Sequence, residues 1–314
     1  MSTGDEGEEA LHRIPLEQYG YDLRKPVPAI LTVRPGETVV VETEDTRSGQ
    51  VRTPEQATPE GLKRFRRDRD AGKFKSPLTG PIAVEGAEPG DVLAVTIEQI
   101  VPDSIGFTGT WPFLQPDWFD EPVTAFAEIR DGWVHYNDRI KFPVRPMIGC
   151  LGCTPPPDSG WYSGPSPYGG NMDCPDVCPG NTILFPVGIP GGGFYVGDAH
   201  AAQADGEFCG GGIEVRAEVT LTFDVRKGKP AAMTWPRIEA PDALVVVAAA
   251  THLEDGLNLA VRDLCYWLRD DYGYSLTDAF FVATQVADGR ACQVLPNTPG
   301  PHVIRVRMPR EYLQ

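Results

Sequence analysis

One short pattern, a Pro-Gly turn leading into an apolar segment, recurs three times in this chain. It occurs at Arg34-Pro-Gly-Glu-Thr-Val39, Glu88-Pro-Gly-Asp-Val-Leu93 and Cys178-Pro-Gly-Asn-Thr-Ile183. Pro presets the backbone angle at the start of a turn and Gly accepts the left-handed angle that follows, so each unit predicts a turn entering a strand. With 34 glycines and 31 prolines in 314 residues, these units predict a mainly β protein, a jelly-roll-like β-sandwich.

Other apolar segments bounded by Gly and Pro add strands to this prediction. They lie at residues 132–136, 147–151, 194–197, 213–223, 244–249, 291–295 and 303–308. Helices are fewer. Thr58-Pro59-Glu60 predicts a helix start, with a basic helix over 59–69. This helix either holds an anion, contacts an acidic neighbouring subunit or, the favoured interpretation, presents a solvated charged face.

The last third of the chain predicts a small unit of mixed structure. Leu257, Val261, Leu264 and Leu268 recur at helical spacing before Gly273, a typical C-terminal cap, and a second helix begins near Ser275. We therefore divide the chain into an N-terminal extension over 1–29, a β-rich body over 30–235 that carries the site, and a C-terminal α/β unit over 236–314 packed on that body.

Charge and composition limit the partners and the compartment. The formal net charge is -16, which argues against binding nucleic acid or an anionic membrane. No apolar run approaches the ~20 residues of a membrane helix. The chain begins without a signal-peptide pattern, and its seven cysteines are an odd number. These features predict reduced thiols and a cytoplasmic location.

The segment Val196-Gly-Asp-Ala-His-Ala-Ala-Gln-Ala-Asp-Gly-Glu207 concentrates the metal-competent side chains. Asp198 and His200 form one i, i+2 pair, and Asp205 and Glu207 form another. Side chains two apart on a strand share a face, so a hairpin between the pairs would bring all four together. The alternative is ordinary turn chemistry around a half-buried histidine.

Two nearby carboxylates extend this candidate site, Asp173 and Glu214. Zinc takes three His, Asp or Glu ligands and a water whose pKa it lowers to about 7. A hydrolase also needs a carboxylate to accept the proton, and Glu207 and Glu214 are the two candidates. The predicted metal ligands are Asp173, Asp198, His200 and Asp205, the metal being zinc, with calcium as the alternative.

Other residues suggest competing chemistry. Cys150, Cys153, Cys174 and Cys178 have a zinc-ribbon-like spacing, although residues three apart on a strand face opposite ways, which favours buried thiols. Cys209 is a second candidate, as a nucleophile activated by His200 or as a substrate contact. The glycine run ending at Gly192 and Gly193 precedes a strand rather than a helix, so it predicts no phosphate loop. Its backbone amides remain candidates for binding the substrate oxyanion.

Four longer stretches occur in a characteristic order, at residues 76–93, 146–149, 169–173 and 196–207. In sequence and order they resemble the acetamidase/formamidase family. The resemblance implies a jelly-roll-like β fold, a homo-oligomer and metal-dependent hydrolysis of short amides to carboxylate and ammonia. It also implies that Asp173, Asp198, His200 and Glu207 occupy metal and active-site positions.

This chain departs from the family pattern at two places. Ala204 stands where a glycine is usual in the run ending at Glu207, and the four cysteines are not general features. The first departure leaves the size of the substrate open. The favoured function is hydrolysis of a formamide-like or acetamide-like substrate. One alternative is hydrolysis of another C–N bond, in a larger amide or a guanidine-like compound. The other is a non-catalytic module that binds a small ligand through a metal.

Overall fold

The computed structural model describes residues 11–20, 27–72, 76–159, 164–228, 230, 232–295, 297–298 and 300–313. Within the expected N-terminal extension, residues 1–29, only residues 11–20 and 27–29 belong to the described part. Its described part is not separate from the body, because the strand His12–Ile14 pairs with Thr38–Thr43.

The described chain is mainly β, with twenty strands, three α-helices and one short 3₁₀ turn at Arg310–Tyr312. The strands are β1 (His12–Ile14), β2 (Tyr19–Gly20), β3 (Leu31–Val33), β4 (Thr38–Thr43), β5 (Leu78–Val84), β6 (Val92–Pro102), β7 (Ile105–Thr110), β8 (Val123–Arg130), β9 (Trp133–His135), β10 (Lys141–Pro143), β11 (Met147–Cys153), β12 (Gly169–Asn171), β13 (Thr182–Pro186), β14 (Phe194–His200), β15 (Glu214–Val215), β16 (Ala217–Arg226), β17 (Arg237–Glu239), β18 (Ala243–Ala250), β19 (Asp288–Gln293) and β20 (His302–Pro309). The helices are α1 (Pro59–Asp70), α2 (Leu253–Tyr272) and α3 (Leu276–Val286).

The strands form two large sheets. One runs β1-β4-β16-β6-β13-β17-β18-β20-β19, and the other runs β10-β9-β8-β7-β15-β14-β11-β12, with β5 pairing β14 and also β2 and β3. One contiguous hydrophobic core contains buried residues of both sheets, among them Phe185, Phe194 and Phe223. All three Pro-Gly units enter strands as predicted, β4, β6 and β13.

The C-terminal strands continue the first sheet. The strand β17 pairs antiparallel with β13 of the body, and β18, β20 and β19 follow at its edge. Helices α2 and α3 pack beside them, α2 ending at Gly273 in the left-handed conformation with φ 71°. The expected C-terminal α/β unit is thus present, and it shares a sheet with the body.

The helix starts follow their predicted caps. Thr58 Oγ1 accepts a 3.2 Å hydrogen bond from the backbone N–H of Gly61, and Ser275 Oγ accepts one of 3.0 Å from Asp278. Such bonds satisfy backbone donors that the helix itself leaves unpaired. None of the described helices is both long enough and apolar enough to cross a membrane.

Candidate active site

The centre of the site is the end of β14, every residue of which is buried. Asp198 and His200 lie on this strand. The neighbouring strand β15 places Glu214 directly opposite His200, and β11 on the other side places Met147 opposite His200. The pairing of these strands therefore fixes three chemically active side chains in one buried place.

The side chains of these residues meet around one nitrogen of His200. Its Nε2 atom lies 3.2 Å from Asp198 Oδ1 and 3.2 Å from Glu214 Oε1. The second oxygen of Glu214 accepts a 2.9 Å hydrogen bond from Thr46 Oγ1. His200 has no exposed surface, so the two carboxylates and the ring interact in a medium where charges are weakly screened.

Loops deliver two further carboxylates, Asp173 and Glu207, and these share an unusual backbone angle with Asp198. Asp173, Asp198 and Glu207 all have positive φ, at 41°, 61° and 43°. A non-glycine residue in this left-handed region is uncommon and costs free energy, and such residues cluster at functional sites. Three of the six described in this chain are carboxylates of one cluster.

Two glutamine side chains orient the cluster. Gln203 Oε1 lies 2.7 Å from His200 Nδ1 and accepts its hydrogen bond, and Gln203 Nε2 donates to the backbone oxygen of Asp173. With Nδ1 held in this way, Nε2 faces the carboxylates and is the ring atom that could bind a metal. Gln293 Nε2 donates to Glu207 Oε2 at 2.6 Å and also to Asp173 Oδ2. Gln293 comes from β19 in the C-terminal unit.

Burial and mutual repulsion shift the pKa values within the cluster. Burial, with the charges of Glu207 and Asp198, raises the pKa of Asp173 well above its usual value. Burial also raises the pKa of Glu207 to about 8, although His200 and Gln293 oppose the shift. The pKa of His200 would fall on burial, yet the facing Glu214 and Asp198 hold it well above its usual value.

The donor set fits a divalent metal ion. Ligand atoms of Asp173, Asp198 and His200 all lie within 4.8 Å of one another, and those of His200, Glu207 and Glu214 form a second such group. Asp173 Oδ1 is buried without a hydrogen-bond partner among the described residues. A buried carboxylate oxygen left unpaired next to an imidazole and further carboxylates is the arrangement that a cation would compensate.

Glycines allow the chain to approach this cluster closely. A Cβ atom on Gly149 would collide with Asp173 Oδ1 and lie 2.7 Å from Asp198 Oδ2. A Cβ on Gly212 would lie 2.6 Å from His200 Nδ1. Both positions therefore require glycine for a steric reason specific to the site.

The remaining predicted site residues lie elsewhere. Residues 201–212 are a loop, not the expected hairpin, so Asp205 turns away from Glu207 and pairs with Arg305 at 3.0 Å. Gly192 and Gly193 precede β14 at its opposite end from His200, where their carbonyls accept bonds from Thr154. The structure thus leaves Asp205, Gly192 and Gly193 outside the cluster.

The cysteines do not join either candidate metal group among the described residues. Cys153 and Cys174 are buried, and burial raises the pKa values of Cys150 and Cys153 well above the usual range. The exposed Cys209 donates to the carbonyl of Gly211 at 3.3 Å. Both ring nitrogens of His200 have other partners, so the structure shows no His200–Cys209 pair.

Five contributors to the site were not predicted from the sequence: Thr46, Gly149, Gln203, Gly212 and Gln293. Gly149 and Gly212 lie in glycine-rich stretches, a weak signal for a close backbone approach. Thr46 and Gln293 carry no local signal, since they reach the cluster from 168 and 86 residues away along the chain.

Comparison with known proteins identifies the family of this chain. The profile of the acetamidase/formamidase family matches residues 22–159 and 164–251. The chain belongs to the acetamidase/formamidase family. A formamidase of Methylophilus methylotrophus is 28% identical over 245 residues, which cover 59% of this chain and 58% of that protein.

Crystal structures of family members have the same fold over nearly the whole chain. An acetamidase from Yersinia enterocolitica is 30% identical, with a TM-score of 0.85 over 99% of this chain and 95% of its own. One from Bacillus halodurans is 27% identical, with a TM-score of 0.85 over 96% and 98%. In sequence, the chain spans 58% to 64% of the length of the curated relatives that it matches.

Proposed function

We propose that this family member hydrolyses a linear amide to a carboxylate and ammonia. The observation that carries the proposal is the position of Glu207, which belongs to the buried cluster and also borders an open cavity next to it. A carboxyl group with a pKa of about 8 can both accept and release a proton near neutral pH.

A divalent metal ion completes this proposal. Asp173, Asp198 and His200 would hold it, with Glu214 beside them, and a nitrogen–carboxylate donor set suits zinc, with calcium as the alternative. When bound, such an ion would supply Lewis-acid polarisation of the amide carbonyl.

The protein side chains perform the proton transfers. Glu207 takes a proton from a water molecule as the water oxygen attacks the amide carbon. It then returns that proton to the amide nitrogen, which leaves as ammonia when the C–N bond breaks. Gln293 holds the Glu207 carboxylate in place through the 2.6 Å bond, and Glu214 keeps His200 oriented.

Ammonia release from formamide, acetamide and propionamide tests the proposal. We expect turnover in the parent and a fall in kcat of about 10²-fold or more for Glu207→Gln, with metal content retained. The matched variant is Glu214→Gln, which removes the other candidate base. Loss of turnover only in Glu214→Gln would move the base to that residue, and no ammonia from any amide would refute the proposal.

We also propose a cytoplasmic homo-oligomer. All seven cysteines are free thiols, as is usual in a reducing compartment, and Trp118 is 73% exposed, as aromatic side chains at subunit interfaces often are before assembly. Light scattering on the purified protein measures its molar mass and hence the number of subunits. The molar mass of a monomer would contradict the proposed oligomer.

A further inference from the structure

A cavity of about 350 Å³ opens beside Glu207 and is larger than acetamide requires. Drug-sized ligands occupy sites of roughly 300–1,000 Å³, so this volume suits a ligand of several more heavy atoms. The loop 201–212 forms one wall through Ala204, Glu207 and Phe208. The cavity therefore has room beyond the amide itself.

The walls of this cavity are chemically uneven. Phe142, Ala204, Phe208 and Ile213 provide apolar surface, and Arg145 provides a cation. An acyl chain of a few methylene groups would contact the apolar part. The Arg145 cation instead suits an anionic group on the ligand.

Arg145 provides an available charge on a backbone that is anchored beside the site. Its backbone N–H donates to the carbonyl of Ala201 at 2.9 Å, which anchors the residue to the site loop. Among the described residues its exposed guanidinium has neither a hydrogen bond nor an ion pair. The acidic residue on the same wall, Asp205, is already paired with Arg305 and Arg290.

We infer, on the basis of the proposed amide hydrolysis, that the preferred substrate is a small amide that carries a carboxylate at its other end. The amide lies at Glu207, the short chain lies against Phe142 and Phe208, and the carboxylate pairs with Arg145. Guanidinium binds carboxylate through two parallel hydrogen bonds, which gives both affinity and orientation.

Paired substrates of equal length test this inference. Succinamate and butyramide present the same amide and chain, and only succinamate has the carboxylate. We expect the parent to show a kcat/KM about tenfold or more higher for succinamate, as one charge-assisted interaction provides. Arg145→Met should abolish that preference through KM and leave butyramide unchanged within about twofold, while Arg145→Lys keeps part of it.

Two controls separate the possible results. Arg262→Met removes an exposed arginine of α2 that does not line the cavity, and it should leave both substrates unchanged. Calorimetric binding of succinate, which contains no amide, should occur in the parent and be lost in Arg145→Met.

The outcomes distinguish this inference from the proposed function. Ammonia from acetamide and butyramide with no preference for succinamate overturns the inference alone, as does an equal loss on both substrates in Arg145→Met. Ammonia from no amide overturns the proposed function, and the succinate titration then decides whether Arg145 binds a carboxylate at all.

Discussion

Gln293 donates hydrogen bonds from one amide nitrogen to Glu207 and to Asp173, and so couples the candidate base to a candidate metal ligand. The bond to Glu207 is 2.6 Å long, and it opposes the rise in the pKa of Glu207 that burial causes. Because Gln293 lies at the end of β19, the C-terminal unit takes part directly in the site.

We expect Gln293→Met to lower turnover about 10- to 100-fold, the usual cost of losing a side chain that orients a metal-site residue. Methionine keeps the length of glutamine and removes the donor, so Glu207 and Asp173 lose their shared partner. Gln99→Met, at an exposed position of β6, is the matched control. Steady-state ammonia release measures the effect, and equal rates in both variants would show that Gln293 does not orient the site.

The metal ligands can be separated from the neighbouring acidic residue by paired substitutions. We expect Asp198→Asn and His200→Ala to lose bound metal and activity, since each removes a ligand atom from a closed cluster. Asp205→Asn should retain the metal, because Asp205 pairs with arginines outside the cluster. Elemental analysis of the purified variants measures this, and metal loss in Asp205→Asn would restore the sequence-based prediction that Asp205 is a ligand.

The sequence predicts those parts of the site whose residues lie close together along the chain. Asp198 and His200 are two residues apart on one paired strand, and they converge as the strand spacing predicts. Asp205 and Glu207 have the same spacing, yet they lie in a loop that belongs to no strand, so strand periodicity does not apply to them. Spacing predicts convergence only where both residues belong to one paired strand.

The parts of the site that the sequence did not predict depend on pairing between strands that are distant along the chain. The Pro-Gly units predict β4, β6 and β13, but nothing local indicates that β17 continues the sheet beside β13. That pairing and the strands beyond it place Gln293 near Glu207 across 86 residues of chain. Register between distant strands depends on tertiary packing, which a periodic pattern does not encode.

Gly149 should tolerate no side chain because the two metal-site carboxylates fill the space beside it. We expect Gly149→Ala to displace Asp173 and Asp198 and to lower metal affinity and activity together, since the added Cβ would lie 2.7 Å from Asp198 Oδ2. Gly300→Ala is the control, as its Cβ would meet no atom within 4 Å and its φ is not positive. Calorimetric titration with the metal ion measures the metal affinity of each variant. Parent-like metal binding in Gly149→Ala would contradict the packing argument.

The second Pro-Gly unit should contribute stability near neutral pH that is lost in acid. Asp91 accepts hydrogen bonds from Lys227 Nζ at 2.7 Å and from the backbone N–H groups of Glu88 and Gly228, which lower its pKa from 3.8 to about 2. A carboxyl group whose folded pKa lies below its unfolded value adds stability above the unfolded pKa and loses that contribution as pH falls through the folded pKa.

We therefore expect Asp91→Asn to be less stable than the parent at pH 5 to 7, with the difference shrinking between about pH 4 and pH 2. Urea unfolding at a series of pH values measures this. Asp117→Asn, at an exposed position with no ion pair among the described residues, should show no such pH-dependent difference. A stability difference for Asp91→Asn that stays constant down to pH 2 would mean that the carboxylate charge contributes nothing and that only the shape of the turn matters.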